Sequence, residues 1–229
     1  MIYENIHKGI FLERPNRFIA EVLVNGKIEK AHVKNTGRCK EILIKNTKIY
    51  LQKSDNPERK TRYSLISAYK NDLLINIDSQ VPNQVVYEAL QQEKIKEITD
   101  IKYLRKEIRY KNSRFDLYYE NENEKGFIEV KGVTLENNGV YMFPDAPTER
   151  GTKHVNEMIE AVKEGYKGFI LFLVQLKGGF YFTPNVETDS LFSETLKKAV
   201  DNGVTVLCYD SNVTSNEITL NNPVDFQIR

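Results

Sequence analysis

One hairpin-like stretch of the sequence combines residue types that can hold a divalent cation beside a phosphate ester. In SRFDLYYENENEKGFIEVKGV, residues 113–133, the NENEKG segment is suited to a turn. Chain reversal there brings Asp116 opposite the neighbourhood of Glu129, and Lys131 shares a strand face with Glu129 because they are two residues apart. Two carboxylates suit an octahedral Mg²⁺, and the lysine can orient or, as a base, help deprotonate an attacking water and stabilise charge at phosphorus. The stretch predicts a metal-dependent cutting site; the alternative is a surface hairpin with exposed ion pairs.

A second stretch, FPDAPTERGTKHVNEM at 143–158, predicts a helix start that can bind an anion. Its prolines fix a rigid entry, and Thr148 and Arg150 fall in the first turn, where free N–H groups favour negative charge. Arg150 and His154 are four residues apart on one helix face, so both can reach a phosphate or a metal-bound water. The alternative is structural: Asp145 or Thr148 only caps the helix, and His154 is an ordinary surface histidine.

The elements that position these residues follow from apolar periodicity and turn residues. Asn83 can cap a helix that runs through 85–98. The predicted order from there is αβββαβαβ, with strands near 103–111, 114–120 and 126–134, a helix within 147–165, a buried strand at 168–176, a helix near 189–202 and a last strand at 204–210. Glu88 on the leading helix and Glu107 on the first strand are candidate accessory carboxylates for the metal; the alternative is that each is solvated or paired.

Residues 17–81 contain short stretches typical of β-strands, among them EILI at 41–44, separated by turns such as Asn25-Gly26. Many short strands in so few residues predict a small closed barrel. Basic and aromatic residues of the types that contact phosphates and bases accompany them: Arg38, Lys40, Arg59, Lys60, Arg62, Tyr63 and Tyr69. Of these, Arg38, Lys40 and Arg62 are predicted to bind nucleic acid; the alternative is a solvated basic surface.

Composition and charge bound the class of protein. The chain has 229 residues, 40% of them hydrophobic, and no apolar run near the roughly 20 residues that span a membrane. Residues 1–85 hold 15 Lys/Arg and 9 Asp/Glu, whereas 86–229 hold 18 and 23. This asymmetry predicts two units with different tasks, and the change of pattern at Pro82 divides them into 1–81 and 82–229. The two cysteines have no disulfide or metal spacing and the start has no secretory pattern, so we expect a cytoplasmic protein that does not contact membranes.

These motifs resemble known families. Asp116, Glu129 and Lys131, placed on the second and third strands of an αβββαβ core, resemble the PD-(D/E)xK nuclease superfamily, although the first motif reads RFD without the proline. More specifically, five blocks spread over most of the chain resemble the sugar fermentation stimulation protein family: HVKNTGRCKEIL (32–43), VPNQVVYEAL (81–90), SRFD (113–116), IEVKGVTL (128–135) and FPDAPTERGTKHVNEM (143–158).

The resemblance implies a mixed α/β protein, with an N-terminal OB-like β-barrel followed by an αβββαβ restriction-endonuclease-like domain. It implies that Asp116 and Glu129 are metal ligands and that Lys131 is the catalytic lysine. It also implies that Arg38, Arg150 and His154 line a nucleic-acid path, and that the family is described as DNA-binding and linked to sugar metabolism.

Three classes of function follow as hypotheses. The first is a Mg²⁺- or Mn²⁺-dependent nuclease that hydrolyses phosphodiester bonds, with nucleic acid, most readily DNA, as its partner. The alternative is a non-catalytic DNA-binding protein or transcriptional regulator linked to sugar (maltose) metabolism, although the sequence has no helix-turn-helix. An enzyme of sugar metabolism would need a nucleotide or sugar pocket, and neither GxGxxG nor a P-loop is present.

Overall fold

The computed structural model describes residues 1–35 and 37–228, and its first unit is a closed barrel. The strands of this unit are β1 (Ile6–Asn16), β2 (Ile19–Val24), β3 (Lys27–Val33), β4 (Lys48–Lys53), β5 (Tyr63–Lys70) and β6 (Leu73–Asn76). They lie in the order β3-β2-β1-β4-β5-β6, and parallel pairing of β3 with β5 closes the first five strands. Apolar side chains such as Val22, Leu51 and Leu65 fill the interior. The predicted OB-like barrel is confirmed.

Two details of the barrel differ from the sequence-based expectation. The strand β1 was not expected, because Phe11 is its only fully buried side chain and the apolar alternation is therefore weak. The segment 41–44 is a turn and not a strand, since the amides of Ile42 and Leu43 bond to the carbonyl of Cys39 at 3.2 and 2.8 Å. Both side chains pack in the barrel core, which explains the apolar character that was read as a strand.

The second unit is a mixed sheet with helices on both faces. Its elements are α1 (Pro82–Gln91), β7 (Tyr103–Tyr110), β8 (Ser113–Glu120), β9 (Lys125–Val133), β10 (Leu135–Asn137), β11 (Val140–Phe143), α2 (Glu149–Lys163), β12 (Lys167–Val174), β13 (Tyr181–Pro184), α3 (Ser190–Asp201), β14 (Thr205–Val213), β15 (Ile218–Pro223) and β16 (Asp225–Phe226). The main sheet has the order β15-β14-β12-β9-β8-β7, with β9, β12 and β14 parallel. The predicted αβββαβαβ order is present within it.

Burial explains why the two faces of the main sheet take different helices. Val86 and Leu90 of α1 belong to one buried cluster, with apolar residues of β8, β9 and β12. Met158 of α2 and Phe192 of α3 belong to the other cluster, with alternate residues of the same strands. The strand β12 is apolar almost throughout because both of its faces are covered, as its sequence predicts.

A smaller sheet, in the order β10-β11-β13-β16, was not expected from the sequence. Its strands have two to four residues, too few for an alternating pattern to be recognised. It packs on the main sheet through aromatic rings, with Phe172 and Phe182 at a centroid distance of 4.3 Å.

A buried polar contact fixes the barrel against the second unit. The side-chain amide of Gln175 donates to the carbonyl and side-chain oxygens of Asn76, both at 3.0 Å, and to the carbonyl of Asp78 at 3.1 Å. Gln175 also accepts at its own carbonyl from the Asn76 amide at 2.9 Å. Within the described residues, no helix is long and apolar enough to cross a membrane.

Candidate metal and phosphate site

The predicted hairpin forms from β8 and β9, and strand pairing ends where its acidic residues lie. The last paired residues of this ladder are Leu117 and Ile128. One step further, that register places Asp116 opposite Glu129. Here Oδ2 of Asp116 accepts a hydrogen bond from the Val130 amide at 2.8 Å. A side-chain carboxylate therefore satisfies an amide at the point where the two strands separate.

The two carboxylate oxygens of Glu129 have different environments. Oε1 lies 2.5 Å from Nζ of Lys131 and 2.5 Å from Nδ1 of His154. Oε2 is buried, and no donor among the described residues reaches it. Because an ionised carboxylate only accepts, Nδ1 of His154 carries the proton in this contact. A buried anionic oxygen without a donor is costly, so Oε2 is the atom that a ligand would satisfy.

Asp116 has a partner on the leading helix as well. Its Oδ1 accepts from Nδ2 of Asn83 at 2.7 Å. The prediction that Asn83 caps α1 is wrong: Val81 occupies the cap position and makes no side-chain hydrogen bond there. The first turn of α1 thus contributes to the site through Asn83, a role that the sequence analysis missed.

The surroundings shift the two carboxyl groups in opposite directions. Burial raises the pKa of Asp116 and the negative charge of Glu129 raises it further, against the hydrogen bond from Val130. Burial also acts against ionised Glu129, but the contacts from His154 and Lys131 outweigh it and lower the pKa of Glu129. Glu129 is therefore the ionised member, and a second negative charge on Asp116 is destabilised. A divalent cation between them would remove that penalty.

Helix α2 positions His154 next to this cluster. Thr148 caps the helix, as one reading of the sequence had it, with Oγ1 accepting from the Gly151 amide at 3.1 Å. The His154 side chain is buried beside Glu129, and its ring meets Phe115 edge-on at 6.4 Å. The alternative of an ordinary surface histidine is therefore wrong. His154 contacts the carboxylate that Lys131 also contacts.

Arg150 lies one turn before His154, and both line an open depression of about 530 Å³ at the start of α2. Arg114 and Lys153 line the same depression and are more than half exposed. The predicted placement of Arg150 and His154 on one side of the helix agrees with this arrangement. The depression offers cations next to the carboxylate cluster.

The two candidate accessory carboxylates lie elsewhere. Glu88 accepts from the N-terminal ammonium of Met1 and from Gln84, both at 2.7 Å. Glu107 is mostly exposed and pairs with Arg114 at 3.3 Å. Position along the chain placed both residues on the right elements, but their side chains have other partners, as the alternative reading had it.

The predicted nucleic-acid residues of the barrel, Arg38, Lys40 and Arg62, are all exposed. Arg38 belongs to a loop after β3 that the guanidinium of Arg14 holds, donating to the carbonyls of Gly37 and Arg38 at 2.9 Å each. Arg62 lies over the ring of Tyr63 at 6.0 Å, and Lys40 is exposed in the turn that follows Arg38.

The loop that carries Arg38 borders a groove between the barrel and the second unit. The groove has a volume of about 380 Å³ and is lined by residues that include Asn35, Gly37, Gly132 and Asp145. Gly37 lies close to Asp145, because a Cβ added at Gly37 would overlap with Oδ2 of Asp145. Gly132, which lines the groove, directly follows Lys131 in β9.

These residues fit a hard divalent cation bound mainly through carboxylates and water. Asp116 and Glu129 supply oxygen ligands, which Mg²⁺, Mn²⁺ and Ca²⁺ prefer. Oε2 of Glu129 has no competing donor, and each oxygen of Asp116 keeps a lone pair beyond its one hydrogen bond. In residues 1–35 and 37–228, no group of three or more His, Cys, Asp or Glu side chains could hold a metal. Water and phosphate oxygens would complete the coordination.

Comparison with known proteins gives the same architecture. Residues 12–77 match the family described as SfsA N-terminal OB domain, and residues 80–217 match the family described as Sugar fermentation stimulation protein RE domain. A sugar fermentation stimulation protein homolog of Alkaliphilus oremlandii is 54% identical over the whole of both chains. One from Clostridium beijerinckii is 52% identical over 98% of this chain and 99% of its own.

A solved structure is similar over its whole length. SfsA of Pyrococcus furiosus, solved in complex with Ca²⁺, superposes with a TM-score of 0.91 and 28% identity. The match covers 100% of this chain and 98% of the other. Both domain matches and the full-length identity to the relatives lead to the same assignment: this chain belongs to the sugar fermentation stimulation protein (SfsA) family.

Proposed function

We propose that the protein is a divalent-metal-dependent nuclease that hydrolyses phosphodiester bonds, with DNA as its substrate. One observation carries the proposal: buried Glu129 has one oxygen fixed by Lys131 and His154 and the other without a donor, beside the second carboxylate, Asp116. A carboxylate that serves only the fold would have donors for both oxygens.

Each residue of the cluster has a distinct task. Asp116 and Glu129 hold the cation, which when bound supplies Lewis-acid chemistry and makes water a stronger nucleophile. His154 positions Glu129, because its contact on Oε1 turns Oε2 away from itself. Lys131 donates to Glu129 and is close enough to the cluster to stabilise negative charge on the phosphate. Because its ammonium donates in this contact, the role of charge stabiliser is favoured over that of base.

Two features beside the cluster support a strand-like substrate. The groove between the units is lined by Arg17 and by Gly132, the residue after Lys131, and the depression at the start of α2 supplies Arg150, Arg114 and Lys153. Cations in both places suit the phosphates of one backbone. The relative from Pyrococcus furiosus was solved with Ca²⁺, a hard cation of the kind that carboxylates prefer.

The direct test is cleavage of end-labelled single- and double-stranded DNA by the full-length protein, with Mg²⁺, Mn²⁺ or EDTA. The variants are Glu129→Gln and Lys131→Ala, and Glu122→Gln is the matched control, because Glu122 is an exposed carboxylate in the turn of the same hairpin. We expect metal-dependent cutting that both site variants lose and the control keeps. Cutting that persists in Glu129→Gln, or in EDTA, would contradict the proposal.

A second candidate function is a non-catalytic DNA-binding protein that affects sugar use. The name shared by the relatives, sugar fermentation stimulation protein homolog, favours it. Binding and cutting separate the two: a protein that only binds would hold DNA without cleaving DNA or RNA, and Glu129→Gln would leave its affinity unchanged in the presence of Mg²⁺.

A further inference from the structure

A second depression lies on the barrel, away from the carboxylate cluster. It has a volume of about 700 Å³ and opens on the outer side of β1, β4 and β5. Its lining includes Lys8, Ile10, Lys48, Tyr50, Tyr69 and Asp72. The oligonucleotide face of an OB barrel is ordinarily on its second and third strands, so this site is a different one.

Strand register arranges the lining as alternating cations and rings. Lys8 is paired with Tyr50 across β1 and β4, and Lys48 is two residues from Tyr50 on the same face of β4. The pair Ile49↔Ala68 sets the neighbouring strand so that Tyr69 is next to Lys48. Each tyrosine thus has a lysine as a cross-strand neighbour.

The two rings are available for contact with a ligand. Tyr50 and Tyr69 are half-buried, with centroids 6.3 Å apart and planes at 48°. At this angle the rings do not stack on each other, so their faces can contact a ligand. Burial and a hydrogen bond with Tyr69 raise the pKa of Tyr50, which favours the neutral form of the Tyr50 hydroxyl.

The cations are available as well. Lys8 and Lys48 are exposed, and neither has an ion pair or a cation–π contact within residues 1–35 and 37–228. Asp72, in the turn between β5 and β6, adds an exposed acceptor to the lining. A ligand that fits this set has an aromatic ring, an anionic group and hydroxyl or amino donors.

We propose that this face of the barrel binds a nucleotide unit, with the base against Tyr50 and Tyr69, the phosphate at Lys8 and Lys48, and a ribose hydroxyl or base amine at Asp72. Aromatic rings beside cations are the combination by which proteins bind single-stranded nucleic acid. The site goes beyond the proposed function, because it lies on another part of the molecule and involves no cutting.

The test is binding of a 5′-labelled 15-nucleotide single strand to the full-length protein in EDTA, followed by fluorescence anisotropy. In Lys8→Gln/Lys48→Gln we expect affinity to fall about tenfold, and the slope of log K against log salt to decrease by about 0.7 for one lost phosphate contact. Tyr69→Leu should lose roughly 5- to 100-fold, whereas Tyr69→Phe keeps the ring and most of the affinity. Lys197→Gln/Lys198→Gln on α3 removes the same charge from another exposed surface and is the matched control.

Competition by AMP distinguishes the source of the nucleotide unit. Displacement of the strand by millimolar AMP in the wild type, and not in Tyr69→Leu, assigns the site to free nucleotides as well as strands. No displacement, together with the losses in the variants, assigns it to strands. Wild-type affinity in all of these variants, equal losses in the α3 control, or no binding of either ligand would overturn the proposal. Cleavage with Glu129→Gln is scored separately, so either proposal can fail alone.

Discussion

Two buried glutamates of the second unit, Glu129 and Glu136, show how differently the fold treats the same side chain. Glu136 has a donor for each oxygen: Oε2 lies 2.7 Å from Nζ of Lys70, and Oε1 accepts from the Gly139 amide at 2.7 Å. Glu129 has two donors on one oxygen and none on the other. The first arrangement completes a contact between barrel and sheet, whereas the second leaves an atom for a ligand.

Glu136 and Glu129 also differ in the charged groups around them. Burial acts against ionised Glu136, but the hydrogen bond from Lys70 outweighs it and lowers its pKa, with no carboxyl group opposing it. The contacts of Glu129 lower its pKa and favour its ionised form. Burial and the negative charge of Glu129 raise the pKa of Asp116, which disfavours ionised Asp116. A fold that only needed stability would separate these two carboxyl groups. Their proximity is therefore the feature that indicates function.

The largest expected effect is the loss of cleavage without Lys131. In Lys131→Met, the phosphate loses its nearby cation, and single-turnover cleavage should slow about 10² to 10³-fold. Lys125→Met, on the same strand and exposed, is the control and should cleave at the wild-type rate. A fully active Lys131→Met would contradict the role of Lys131 in stabilising charge on the phosphate.

Lys70, which pairs with Glu136, should affect stability and not cleavage. Lys70→Met leaves Glu136 buried with a backbone donor only, which should lower the free energy of unfolding by about 2 kcal/mol. This is less than for a fully buried pair, because a fifth of the Lys70 side chain is exposed. Urea denaturation measures the change, and the folded variant should cleave normally. A loss of cleavage without a loss of stability would contradict the purely structural role of the Lys70–Glu136 contact.

His154 should have an intermediate effect, through its hold on Glu129. In His154→Asn we expect divalent-cation affinity and cleavage both to decrease about tenfold, because residues that orient a metal ligand typically contribute that much. Raised metal concentration should restore part of the rate. A residue that served folding alone would change the unfolding midpoint and leave the metal dependence of cleavage as it is.

The smallest effect should be a gain in stability on removing Asp116. Its folded pKa is raised, so the native state binds more protons than the unfolded state between the ordinary and the raised value, and stability falls as pH rises through that window. Asp116→Asn removes this penalty and keeps an oxygen for the Val130 amide. In EDTA at neutral pH we expect Asp116→Asn to unfold at a higher temperature than the wild type, and with Mg²⁺ we expect it to lose cleavage. A less stable variant would contradict the assigned repulsion.

The sequence placed the three charged residues of the hairpin on the correct strands because their geometry is local. Asp116, Glu129 and Lys131 lie on two strands joined by one turn, so strand periodicity alone places them together. His154 was placed on the correct helix, but its contact with Glu129 depends on how α2 packs on the sheet, which residue spacing does not encode. Asn83 was assigned to a cap because a helix start is a local pattern, whereas its bond to Asp116 is a long-range contact. Glu88 and Glu107 lie on the elements that the sequence predicted, but their side chains bind partners outside the carboxylate cluster.

Cation binding measured by isothermal titration calorimetry tests the central claim most directly, because it does not depend on the choice of substrate. Mg²⁺, Mn²⁺ and Ca²⁺ are titrated into the wild type, Asp116→Asn, Glu129→Gln and the control Glu136→Gln. We expect saturable binding in the wild type and in folded Glu136→Gln, and its loss in both site variants. Binding that is equal in Asp116→Asn, Glu129→Gln and the wild type would contradict the assignment of the hairpin as a metal site.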